Sequence, residues 1–439
     1  MLENTALILS TVVLGLALNG PVRAETLSDA VGQDEPRLLD IFTKLHANPE
    51  HAFMESETAA LVASELKANG FEVHTGIAKT GVIGVMKNGD GPVIMFRSDM
   101  DALPIKEETA LEYKSTAVKP DRFGVELPVM HACGHDAHTT WLIGMAKILA
   151  ARKDEWTGTV ILVAQPAEEL IEGATAMVED GLYDLIPKPE IIISGHTMGV
   201  VPAGSVAIRD GRRMAGTDQV DVQIFGVGGH GSTPHAAKDP VVMAAMAVMG
   251  YQAVVARALD QSQPAVLTVG AIQSGDTNNI IPDSATLKVN LRWYSDLERD
   301  AMIKGIKSVT DNIANMYNMP KDRMPTYTFK GYSTPILNTT EDTAIARDAM
   351  AAALGDDKVL LGMPPVMGSE DFHMLGAPYP DTRILYVEIG SGVPDVYSNF
   401  TEKGILPAVL NHNPRYVVEL PAIAAGTTAL TAVVMAFLQ

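Results

Sequence analysis

The sequence predicts an α/β chain of two domains: a mixed-sheet α/β domain interrupted by an inserted ferredoxin-like α+β module. Three observations carry that reading. At 439 residues with 47% hydrophobic content, the chain exceeds the usual size of one domain and holds apolar material for two cores. From residue 208 to residue 330 the apolar periodicity runs strand, helix, strand, strand, helix, strand, the order of a self-sufficient ferredoxin-like unit. Helix and strand patterns then resume, so the unit divides the larger domain into residues 25–207 and 331–439.

Taken in order, residues 38–47 and 57–69 carry apolar side chains at three- and four-residue spacing and read as helices, the second closed by Gly70 as a left-handed cap. Strands are expected at 71–74, 82–86 and 92–97, and the third runs directly into Ser98-Asp99-Met100-Asp101. A helix follows at 140–153. A β-branched strand at 159–165 ends at Pro166-Ala167-Glu168-Glu169, and another at 190–194 ends at Gly195-His196. Three strand ends thus present Asp99 and Asp101, Glu168 and Glu169, and His196, the placement expected where one open α/β sheet builds one site. Each also has an ordinary explanation: Asp before a loop is a common turn former, and adjacent glutamates suit a solvated helix start. Within the module, strands are expected at 218–225, 265–272, 285–293 and 326–330, with helices at 240–259 and 295–317. The pattern resumes at 343–354 and 383–389, and an apolar helix at 423–437, too short for a membrane span, closes the chain against the sheet.

Composition narrows the partners. A formal net charge of −20 repels nucleic acid and anionic lipid, leaving small molecules as the expected ligands. No low-complexity tract or short-period repeat occurs. Residues 5–18 form an apolar run suited to a signal peptide within residues 1–24, and Val22-Arg23-Ala24 offers a small-residue cleavage site, although Glu3 stands where a basic residue is usual. That leader implies a periplasmic or secreted protein; without its cleavage the protein is cytoplasmic. A single cysteine forms no intramolecular disulfide and agrees with either.

The densest chemistry lies in Met130-His131-Ala132-Cys133-Gly134-His135-Asp136-Ala137-His138, which places a thiol, three imidazoles and a carboxylate in nine residues. In extended backbone Cys133 and His135 point to one side, and sulfur beside imidazole nitrogen suits zinc or another late first-row cation. A lone buried cysteine is also a small hydrophobe; five ligand-capable groups together favour a metal site. Gly226-Val227-Gly228-Gly229-His230-Gly231-Ser232 lacks the Gly-Lys-Ser/Thr ending of a phosphate loop. Its glycines present His230, which is equally readable as a turn histidine.

Six ordered motifs give the chain a family resemblance: Leu45 to Glu50, Arg97 to Pro104, His131 to His138, Gln165 to Glu169, Gly229 to His235 with Asn279 to Asp283, and Gly368 to Phe372 followed by His412. The chain resembles the M20 metallopeptidase family, in its amidohydrolase subfamily of hippurate hydrolases, aminoacylases and indole-acetyl-amino-acid hydrolases. The resemblance implies two divalent metal ions per subunit (Zn, Mn, Co or Ni) held by Cys133, His135, Glu169, His196 and His412. It implies Glu168 as general base, His230 as oxyanion donor, often across a dimer, and Asn279 and Arg292 as substrate-binding groups. Asp99, Asp101 and His138 would orient the ligands, and the inserted module would be a lid that also carries homodimer contacts. The implied reaction cleaves the amide of an N-acyl or N-aroyl amino acid; alternatives are a dipeptidase or carboxypeptidase-type exopeptidase, or a metal-dependent binding protein without turnover. Two departures stand out: Asn413 follows His412 where relatives commonly have Ser, and the Thr197–Val200 segment lacks the aromatic or polar residues many relatives carry there.

Overall fold

The computed structural model describes residues 25–439, so the leader expected at 1–24 lies outside the described residues. The larger domain is built on an eight-stranded sheet. Its spatial order is Glu72–Ile77, Gly81–Asn88, Gly158–Gln165, Val93–Asp99, Ile191–Pro202, Arg383–Gly392, Val206–Ile208 and Val359–Leu361. The centre is parallel: Val93–Asp99 pairs with Gly158–Gln165 and with Ile191–Pro202, which pairs with Arg383–Gly392. Antiparallel pairs toward both sides make the sheet mixed. Gly158–Gln165 is buried along its whole length, the mark of a strand covered on both faces. Helices Leu27–Ala47, Ser56–Ala68, His135–Ala151, Thr340–Leu354 and Pro421–Ala436 cover one face around Phe96, Trp141, Leu142 and Leu430. Met177, Phe372 and Ile192 belong to the core on the other.

Several boundaries differ from the sequence expectation, each for a packing reason. The first helix begins at Leu27, well before 38, and passes through Pro36, because Thr26 and Asp29 form a reciprocal capping box and Val31 is fully buried upstream of the proline. An interior proline costs about 3 kcal/mol, and burying apolar side chains on both sides of it, at roughly 1.5–3 kcal/mol each, offsets that. The strand expected to end at 194 runs on to Pro202, pairing Glu388 with His196 and Gly390 with Met198. Gly195 therefore lies inside the strand: a Cβ there would lie 2.7 Å from Leu430 Cδ1, so the glycine lets the closing helix approach the sheet.

The inserted module is a four-stranded antiparallel sheet in the order Val266–Gln273, Ser284–Trp293, Gly216–Phe225 and Thr326–Ser333. Helices Pro240–Ala258 and Asp296–Met316 pack on one face around Val222, Tyr251, Leu287 and Ile306. Alternation along Ser284–Trp293 buries Val289 and Leu291 against those helices and turns Asn290 and Arg292 to the other face, toward the larger domain. Pro240–Ala258 leaves Val241, Val242, Met246 and Met249 exposed, Met249 at 73%.

Candidate metal centre

Cys133 and His135 are not in extended backbone. Gly134 adopts a left-handed φ of 90°, and His135 opens the helix His135–Ala151. A Cβ on Gly134 would meet Thr197 Oγ1 at 2.5 Å, so both the backbone angle and the available space require glycine there. Cys133 Sγ lies 3.5 Å from His196 Nε2. His412, with its own left-handed φ of 71°, places Nε2 3.4 Å from Glu169 Oε2. His135 Nε2 stands 3.8 Å from Glu168 Oε2 and 3.9 Å from Glu169 Oε1. Two ligands of one tetrahedral ion with bonds of about 2.0–2.3 Å lie roughly 3.3–3.6 Å apart, and the first two separations have that size. His135 Nε2 and Glu169 Oε1 are buried without a hydrogen-bond partner among the described residues. Unpartnered imidazole and carboxylate atoms beside the Cys133 thiol fit a divalent late first-row cation.

The surrounding contacts fix this arrangement. Asp101, buried at the end of the Val93–Asp99 strand, accepts hydrogen bonds from the backbone N–H of Glu168 and of Glu169, both at 3.0 Å. The glutamates sit in a tight turn between Ala167 (φ 53°) and Ile171 (φ 55°), two non-glycine residues held left-handed, strain of the sort that persists where neighbours over-determine a functional turn. His138 Nε2 accepts from the Thr197 N–H at 2.9 Å, so Nδ1 carries the proton donated to Asp99 Oδ1 at 2.6 Å. With both nitrogens engaged, His138 braces Asp99 and the residue after His196.

The electrostatics describe a site balanced by protons. Burial and the Glu169 carboxylate oppose ionisation of Cys133, yet the neighbouring imidazoles bring its thiol down to about 6. Burial works against a charged His196, but the Cys133 thiolate holds it up to about 9. Hydrogen bonds to Cys133 and Glu169 raise His412 to about 11. Burial, with Glu370 and Glu169 nearby, pushes Glu168 well above the usual carboxylate range.

Sequence reasoning did not single out the buried charge network beneath the site. Arg97, 1% exposed, reaches Gln165 at 2.8 Å, Asp99 at 2.9 Å, Glu370 at 3.0 Å and Asp371 at 3.2 Å. Gln165 and the Ala174 N–H also donate to Asp371. Oxygens of Glu168, Glu370 and Asp371 lie within 4.8 Å of one another, a concentration of carboxylates that the Arg97 guanidinium offsets. The signal lies in the Gly368 to Phe372 motif, which carries Glu370 and Asp371.

A cavity of about 600 Å³ opens onto the cluster between the two domains. Arg292 lines it, with Nε donating to Asn290 Oδ1 at 2.7 Å and Nη1 to Ser369. His230 and Asn279 are not brought there. They line a separate surface cleft on the inserted module with Val227 and Ile280. The residues of their motif form a small two-stranded ladder, Gly229–His230 against Ile280–Ile281, that stands apart from the four-stranded sheet. His230 is exposed, and its Nδ1 accepts from the Ser232 N–H at 3.1 Å.

Compared with known proteins, residues 95–434 match peptidase family M20/M25/M40. The chain belongs to that family. It is 37% identical over 346 residues to hippurate hydrolase of Campylobacter jejuni, covering 77% of this chain and 86% of that protein. It is 33% identical over 357 residues to N-acetyl-L-cysteine deacetylase of Bacillus subtilis, covering 81% and 79%. Among solved structures, a Bacillus subtilis dinuclear metal-binding peptidase of the M20 family superposes with a TM-score of 0.70 at 27% identity, covering 93% of this chain and 99% of that one. The family, the two-domain mixed α/β fold and the residues gathered here agree: the chain is an M20-type metal-dependent amidohydrolase.

Proposed function

We propose that the protein hydrolyses the amide bond of N-acyl or N-aroyl amino acids, releasing a carboxylic acid and a free amino acid. The observation that carries this reading is the cavity that brings Cys133, Glu169, His196 and His412 together with Glu168 and the Arg292 guanidinium. Cys133, His135, Glu169, His196 and His412 would hold two divalent ions of the Zn, Mn, Co or Ni class. When bound, the ions supply Lewis acidity and a water acidified from 15.7 toward about 7. Glu168 takes the proton of the attacking water and passes it to the leaving nitrogen. Asp101 fixes where Glu168 and Glu169 point, and Asp99 and His138 fix the helix and strand that carry His135 and His196. Arg292 grips the substrate carboxylate through the guanidinium edge left open by Asn290 and Ser369.

In this reading the module 208–330 is a lid that also joins two subunits. Its exposed Val241, Val242, Met246 and Met249 form an apolar face suited to a second copy, and His230 and Asn279 serve the partner's cavity rather than their own. The leader at 1–24, if cleaved, delivers the protein to the periplasm or medium. Metal-loaded protein incubated with a panel of N-acyl amino acids and dipeptides, followed by amine release, tests the reading. Preferential turnover of acyl amino acids supports it, preference for dipeptides makes the protein an exopeptidase, and binding without release makes it a carrier. Mass in solution tests the dimer, and N-terminal sequencing of natively expressed protein tests the leader.

A further inference from the structure

Tyr386 lies in the strand Arg383–Gly392, whose parallel register sets it opposite Ser194 and sets Glu388 opposite His196. Alternation along the two strands puts Tyr386 and His196 on the same face of the sheet. The ring is held firmly, stacked on Phe372 at 6.0 Å between centroids and 6.5 Å from the His196 ring. Its backbone is clamped by one side chain: Asn338 Oδ1 accepts from the Tyr386 N–H at 2.8 Å, and Asn338 Nδ2 donates to the Tyr386 carbonyl at 2.9 Å. The residue is 1% exposed and lines the cavity that holds Cys133, Glu168 and His412.

What sets Tyr386 apart is its hydroxyl. Buried phenols normally find a partner, and other tyrosines here do: Tyr416 with Ser391, Tyr251 with Thr310, Tyr294 with the Val366 carbonyl and Tyr183 with the Leu375 carbonyl. The Tyr386 hydroxyl has none among the described residues. Tyr386 lines the cavity, and a phenol carries an O–H donor at neutral pH. The chain's own His230 faces a different cleft.

We propose that Tyr386 is a further catalytic residue, its phenolic O–H donating a hydrogen bond to the substrate's acyl oxygen as the amide carbon becomes tetrahedral. The proposal rests on the amidohydrolase reading above. The donor is pre-oriented by Phe372 and Asn338, and its bond strengthens as negative charge develops on that oxygen, which is how a fixed dipole lowers a barrier.

Tyr386→Phe removes only the hydroxyl and keeps the stack on Phe372. The expected result is a fall in kcat of roughly 100-fold, the size of one oxyanion donor, with KM, metal stoichiometry and Tm close to wild type. Calorimetric titration with a phosphonate analogue of a substrate that the wild-type protein turns over supplies a second readout. The variant should lose affinity for the analogue by a similar factor while binding the product carboxylic acid as wild type does. A kcat within threefold of wild type, or equal losses for analogue and product, overturns the role of Tyr386 and leaves the amidohydrolase reading standing. A wild-type protein that releases no amine from any acyl amino acid overturns both.

Discussion

Replacing Asp101 by Asn is the most direct probe of how the site is held. The carboxylate accepts the N–H groups of Glu168 and Glu169, each at 3.0 Å, and approaches His135 Nδ1 at 3.3 Å. Asparagine is nearly isosteric, but it keeps one acceptor and turns an NH₂ toward the second amide. One charge-assisted bond becomes neutral and the other is lost, leaving a buried N–H unsatisfied. With a hydrogen bond to a charged group contributing about 1.5–3 kcal/mol, the expected net loss is about 2–3 kcal/mol. At about 1.4 kcal/mol per tenfold, that is roughly 30- to 150-fold. Because one carboxylate anchors both the ligand Glu169 and the base Glu168, the loss should be shared between metal affinity and kcat. Competition titration against a chromophoric chelator measures the first, and steady-state amine release at saturating metal measures the second. A folded Asp101→Asn protein whose metal affinity and kcat both stay within threefold of wild type would refute the claim that Asp101 sets the aim of the two glutamates.

Glu168→Gln should keep its metal content and lose roughly 100- to 10,000-fold in kcat, the range for a removed general base; near-normal turnover would exclude that role. Cys133→Ser should weaken metal binding on the order of 100-fold, read by elemental analysis after dialysis against graded chelator. In the wild type, affinity should rise with pH, because His412, held up to about 11, and His196, held up to about 9, shed protons before they ligate; a flat profile would count against both as ligands. His46 supplies a separate pH signature. Burial disfavours its charge, but Asp136 at 2.6 Å and Glu107 at 3.2 Å raise it to about 9. A folded value above the unfolded value of about 6.5 means a stabilisation fully present below that pH and lost as pH rises through about 9, on the order of 3 kcal/mol in all. The Tm difference between wild type and His46→Gln should therefore shrink between pH 6 and pH 9.5, and a constant difference would remove the charged pair.

How much was legible beforehand differs residue by residue. Cys133, His135 and His138 announced themselves by density within one short stretch, and Glu168-Glu169 by following a β-branched run. The turn of the chain between Cys133 and His135 was not legible, because the left-handed Gly134 answers to Thr197, a residue from another strand. The continuation of the strand past Gly195 was not legible for the same reason: the side chain that needs a glycine there, Leu430, belongs to the closing helix. Arg97 is an ordinary strand residue until sheet closure brings Glu370 and Asp371 beneath it.

The sequence by itself determined the element types, the strand and helix order of the inserted module, the ligand-capable residue types and the family, because periodicity, turn chemistry and short motifs are properties of neighbouring residues. Only the tertiary structure decided which carboxylate braces which backbone, that Arg292 shares the cavity with the cluster while His230 and Asn279 do not, and that the Tyr386 hydroxyl finds no partner among the described residues. Those outcomes depend on strand register and on how closely helices approach the sheet, and both are set by contacts between residues far apart along the chain.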